Sequence, residues 1–85
     1  MKRAAIISAV LDGSREHQRE FNEIVSDYNE IVRGRMGIPF ADGAVALIAL
    51  TVVAETEMIG EFMDKLGAVK GASVAVSYTK EGLDL

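Results

Sequence analysis

The chain reads as an α+β sandwich in the order βαββαβ, with a four-stranded antiparallel sheet and two helices on one of its faces. Three observations predict it. Two apolar segments, residues 5–11 and 44–54, each lead into an amphipathic helix; each helix is followed by a weaker strand; and the single proline falls on the second strand, where a sheet edge tolerates it.

Taken in order, Ala5 to Leu11 is apolar on both faces, the pattern of a central strand covered on both sides. Asp12-Gly13-Ser14 interrupts it. Ser14 is placed as an N-cap, Glu16 suits the positive end of a helix, and Arg33 followed by Gly34 supplies a basic last turn and a terminating glycine. These signals predict a helix of about five turns. Its apolar stripe is Phe21, Ile24, Val25, Tyr28, Ile31 and Val32, with Arg15, Glu16, Arg19, Glu23, Asp27 and Glu30 as the solvated back. Arg35 to Phe40 alternates apolar side chains with Gly37 and Pro39 and reads as an edge strand, joined through the turn Asp42-Gly43 to the strand at 44–54. Thr56 is placed to cap the second helix, Met58, Ile59, Phe62, Met63 and Leu66 form its stripe, and Gly67 ends it. Gly60, which costs a helix about 1 kcal/mol relative to alanine, is read as a point of close approach to a neighbouring element. Val74, Val76 and Tyr78 alternate with Ser73, Ala75, Ser77 and Thr79 in a last strand, so that one domain covers residues 1–80 and 81–85 is a tail.

Composition narrows the function. A chain of 85 residues buries about 60–65 % of its unfolded surface, which leaves it marginally stable alone. Nine basic against thirteen acidic residues give a net charge of −4, which opposes direct binding of nucleic acid. Without cysteine there are no disulfides, thiolate metal sites or thiol nucleophiles. No stretch approaches the roughly 20 apolar residues of a membrane span, and the run after Met1-Lys2-Arg3 lacks an export cleavage pattern, so no membrane partner and a cytoplasmic location are expected.

Both helices arise from crossovers of the same hand and therefore share one side of the sheet. The other side has nothing in the chain to cover it. The strand at 44–54 is nonetheless apolar on both faces, with Val45, Leu47, Ala49 and Val53 in one row and Ala46, Ile48, Leu50 and Val52 in the other. The expectation is a homo-oligomer, joined by face stacking, edge pairing or both, with Ala46, Ile48, Leu50 and Val52 as its sheet face.

Residues able to do chemistry are sparse. His17 is the lone histidine; with Glu20 one turn on it supplies too few ligands for a metal unless symmetry brings copies together, so no metal is assigned and a metal sensor with His17 at a subunit interface stands as an alternative. Glu55 with Glu57, and Asp12 with Glu16, read as solvated charges, and the serines lack a patterned base. The glycines form no phosphate loop, and neither apolar strand carries the aromatics an RNA reader stacks on bases. The expectation is a non-enzyme with no cofactor.

From Ile31 onward the chain resembles the ACT-like iron-only hydrogenase system regulators. The residues that carry the likeness are Val32-Arg33-Gly34-Arg35-Met36-Gly37-Ile38-Pro39, the hairpin into Ala44 to Val53, then Ile59, Lys65-Leu66-Gly67, Gly71 and Val74, while Gly34 and Ala72 depart from the pattern. The resemblance implies a ferredoxin-like, ACT-like domain that assembles and regulates rather than catalyses. It also implies a small-molecule ligand near the loop after the first strand, which nominates Asp12, Gly13 and Ser14, whose amides open a helix. The expected role is a homo-oligomeric regulatory module that senses a small ligand or acts through contact with another regulatory protein. A pure assembly module without ligand is the rival.

Overall fold

The computed structural model describes residues 1–80; the expected tail at 81–85 lies outside the described residues. The elements are β1 (Lys2–Asp12), α1 (Arg15–Asp27), β2 (Val32–Phe40), a short 3-10 turn (Ala41–Gly43), β3 (Val45–Glu55), α2 (Thr56–Gly67) and β4 (Ala72–Tyr78). They form a four-stranded sheet in the order β2-β3-β1-β4, antiparallel at every pairing. The two apolar strands are central and the proline strand is an edge, as their composition requires.

Both helices cover one face. Along β1 the residues alternate, with Ala5, Ile7, Ala9 and Leu11 buried and Ile6, Ser8 and Val10 exposed. Opposite them on β3, Ile48, Leu50, Val52 and Ala54 are buried beneath Phe21 and Val25 of α1 and Ile59, Phe62 and Leu66 of α2. The helices meet where Tyr28 stacks on Phe62 at 4.6 Å between ring centroids, and the Tyr28 hydroxyl donates to Glu61 Oε2 at 2.9 Å. β1 is therefore buried on one face within the chain rather than on both.

This arrangement corrects the proposed assembly row. Ala46, Ile48, Leu50 and Val52 point at the helices: Leu50 and Val52 are 0 % exposed and Ala46 packs against the core. The outward row of β3 is Val45, Leu47, Ala49, Thr51 and Val53. Period-two alternation makes the choice all or nothing, because every side chain in a strand changes face together.

The first helix is shorter than its apolar spacing predicts. It ends at Asp27 with Tyr28 as C-cap, and Tyr28 N–H donates back to Val25, Asn29 to Ser26 and Ile31 to Tyr28 in tight turns. Val53 N–H then donates to the Ile31 carbonyl at 3.0 Å, so pairing with β3 takes the chain from the helix. Ile31 still reaches the core, but from the turn. Arg33 and Gly34 lie in β2, beside a register shift between Val32 and Gly34, and do not cap a helix.

Smaller differences follow the same logic. The hairpin between β2 and β3 uses three consecutive left-handed residues, Ala41, Asp42 and Gly43, at φ 52°, 56° and 88°. Glu55 rather than Thr56 occupies the N-cap of α2, and the Thr56 hydroxyl donates to Glu57 at 2.9 Å. Met58 is exposed. Gly60 is not a close approach, since a β-carbon there would have no other atom within 4 Å.

Candidate functional site

Three places bear on function: the β1–α1 turn, a cleft beside β2 and the sheet face without helices. At the turn, the Asp12 carboxylate meets His17 Nδ1 at 3.0 Å from each oxygen and accepts from Ser14 N–H at 3.2 Å. The Ser14 hydroxyl accepts from His17 N–H at 3.4 Å, which is the N-cap expected from the sequence. The hydrogen bond from His17, followed by that from Ser14, holds the Asp12 carboxyl below its ordinary value of 3.8. Gly13 lies hard against the backbone of Gly43 and Ala44, and Gly71, at φ +85°, lies hard against Asp12 and His17. Asp12 N–H donates to the Gly71 carbonyl at 3.0 Å.

This turn is therefore filled from within. Asp12, Gly13 and Ser14 are brought together as the sequence nominated them, but the Ser14 and His17 amides that would greet an anion already have side-chain acceptors. His17 is paired with Asp12 rather than with Glu20, which is exposed. Among the described residues, no group of three or more His, Cys, Asp or Glu side chains is placed to hold a metal.

The cleft lies on the helix side of β2, the strand the helices leave uncovered. Across antiparallel partners, Arg35, Gly37 and Pro39 of β2 oppose Leu50, Ile48 and Ala46 of β3 and so share their face. Leu11, Ala46, Ile48 and Pro39 floor a cavity of about 200 Å³. Gln18 and Asn22, one turn apart on α1, form one wall with Arg35 opposite, and an Arg35 guanidinium nitrogen donates to Asn22 Oδ1 at 2.7 Å. Sequence reasoning passed over these residues. Their signal was a pair of neutral amides, four residues apart, on a mostly charged helix back.

The helix-free face is the third place. Its outward residues run from Ala4 through Ile6 and Ser8 to Val10 on β1, Val45 to Val53 on β3, Gly34 to Phe40 on β2 and Ser73 to Ser77 on β4. None of these positions is charged; the charged residues of the outward rows, Lys2, Asp12 and Glu55, stand at the strand ends. Ile6 is 54 % exposed, Met36 64 % and Leu47 40 %, with Val10, Ile38 and Phe40 about as open. Val10, Leu47 and Ile38 sit side by side across three strands, with Met36 and Ala49 in the next row, around a shallow apolar groove of about 300 Å³.

A sequence with this sheet, these helices and this β2 matches one family profile over residues 3–76. The chain belongs to the TM1266-like family. That family is described as "Iron-only hydrogenase system regulator, putative". The uncharacterized protein TM1266 from Thermotoga maritima superposes with a TM-score of 0.90 at 28 % identity, over 94 % of this chain and 100 % of that one. The ACT domain of a GTP pyrophosphokinase from Chlorobium tepidum superposes at 0.75 with 18 % identity, over 93 % and 100 % of the two chains. The C-terminal domain of the MgtC protein from Mycobacterium tuberculosis gives 0.64 at 11 % identity, covering 95 % and 92 %. No curated protein matches the chain. TM1266-like membership and the ACT-like fold agree with the regulator family and the fold class read from the sequence. Among the described residues, no helix is long and apolar enough to cross a membrane.

Proposed function

We propose that this TM1266-like chain is a non-catalytic regulatory module that works as a homo-oligomer and responds to a small ligand. One observation carries the reading: between the charged strand ends at Lys2, Glu55 and Asp12, the middle of the sheet face opposite the helices is mostly apolar and carries no charge, in a protein whose net charge is −4. Two acidic molecules repel unless they meet where neither is charged, and this face is such a place. A second copy fits it better than a foreign partner, because an uncharged face is complementary to itself under a two-fold axis. Its size is adequate too. Four strands about 4.8 Å apart and about seven residues of common pairing at about 3.3 Å span roughly 20 by 23 Å, near the lower bound of a stable interface once side-chain relief is added.

The role assigned to the module comes from its family, described in terms of regulation, and from the ACT domain of an enzyme that shares its fold. Regulation would pass through contact with another protein. Sedimentation velocity at micromolar concentration tests the assembly, with a species heavier than 9.1 kDa expected. A sharp 9.1 kDa boundary would remove the support. The filled amides at Asp12 to Ser14 favour a second reading, a pure assembly module without ligand. Melting temperatures that stay constant across small anions, amino acids, nucleotides and divalent metals would select it.

A further inference from the structure

We propose that the cleft between α1 and β2 binds a small monocarboxylate with a short apolar chain, its carboxylate on Arg35 and its chain over Leu11, Ala46 and Ile48. This deepens the ligand half of the proposed function and does not require the assembly half. The chemistry follows from what lines the cavity. Arg35 is the one charged residue among the lining side chains, and Asn22 already orients its guanidinium at 2.7 Å. A guanidinium has five donors in a planar fork, so one bond to Asn22 aims the rest rather than using them up. The Gln18 amide stands one turn away on the same wall. Arg15 and Arg19 share a neighbouring groove with Gln18 and Asn22 on α1, where Glu23 offsets part of their positive charge.

Size and sign narrow the ligand further. A cavity of about 200 Å³ is smaller than the roughly 300–1,000 Å³ of sites for drug-sized molecules, so it suits a chain of a few carbons. Among the described residues no acidic side chain lines it, so the ammonium of an amino acid would find no counter-charge there. That favours a simple carboxylate over a zwitterion of equal size. The space exists because β2 presents Gly37 at its centre: a β-carbon there would lie 3.9 Å from Ile48 Cγ1, in ordinary contact, so packing alone does not demand glycine. Ile38, on the opposite side of the same strand, borders both the cleft and the apolar groove.

The experiment is a calorimetric titration of the full chain with butyrate and isovalerate, with leucine and butylamine as comparison probes. Saturable binding is expected for both carboxylates, weaker binding for leucine and none for butylamine. Arg35→Gln should weaken butyrate about tenfold or more through loss of a charged hydrogen bond. Gly37→Val, which fills the cleft with a residue that suits a strand, should do the same while keeping its far-UV spectrum, and it carries the test if Arg35→Gln fails to fold. Leu47→Lys, on the other sheet face, should bind butyrate as the natural chain does, which separates this site from assembly. Absence of saturable carboxylate binding, equal binding by butylamine, or undiminished affinity in folded Gly37→Val would overturn the proposal.

Discussion

Leu47→Lys puts a charge at the middle of the helix-free face without touching the core. Leu47 is 40 % exposed in the single chain and pairs across β1 and β2 with Val10 and Ile38. Completing its burial against a partner contributes 0.4 of the roughly 1.5–3 kcal/mol for a whole leucine, about 0.6–1.2 kcal/mol, and a two-fold interface counts it twice. Losing about 1.2–2.4 kcal/mol raises the dissociation constant roughly tenfold to sixtyfold, before the penalty of trapping two ammonium groups in an apolar layer. With that penalty the change is on the order of a thousandfold or more. The folded monomer should scarcely respond, since exposed substitutions stay within about 0.5 kcal/mol. Sedimentation velocity reads the first effect and chemical denaturation of the dilute protein reads the second. A Leu47→Lys chain that is folded and sediments identically to the parent would refute assembly through this face.

Other outcomes follow from neighbouring geometry. Leu50→Ala, directly opposite Arg35 and fully buried, should cost about 2–5 kcal/mol in urea unfolding, in contrast to the exposed Leu47 of the same strand. Gly60→Ala should stabilise by up to about 1 kcal/mol because nothing stands within 4 Å of the new methyl group. Gly71→Ala, at φ +85° against Asp12 and His17, should destabilise by about 1–3 kcal/mol, and thermal melting of the pair will show opposite signs. The Asp12 carboxyl is held below its ordinary 3.8, so its contribution to stability is present above that pH and lost as pH falls through the lower folded value. Asp12→Asn should flatten the acid limb of stability measured below about pH 4.

Much of this architecture was legible because independent signals coincided. Pro39 marked an edge strand, the long apolar runs marked the central ones, and Ser14 capped α1 where its position said it would. The end of α1 was not legible, because Ile31 and Val32 continue the helical spacing and only their pairing with Val53 and Val52 of β3 assigns them to the sheet. Choosing the outward row of β3 failed for a different reason. Both rows are apolar, and the deciding mark was Thr51, the sole uncharged polar side chain in that strand, which sits among Leu47, Ala49 and Val53 on the open side. The cleft escaped notice because it is made by contact at a distance: Arg35 meets Asn22 across thirteen residues of chain, and the amide pair at Gln18 and Asn22 does not by itself announce a cavity.

Edge strands invite runaway polymerisation, and β2 carries two obstacles to it. Pro39 leaves a gap in its row of donors, and the irregularity between Val32 and Gly34 bends the strand out of line with any ribbon that might extend it. Growth by adding strand to strand on that side is thus discouraged, whereas back-to-back stacking uses up its surface in a single step. A particle made that way has a definite stoichiometry and stops, which separates a finite complex from a fibre.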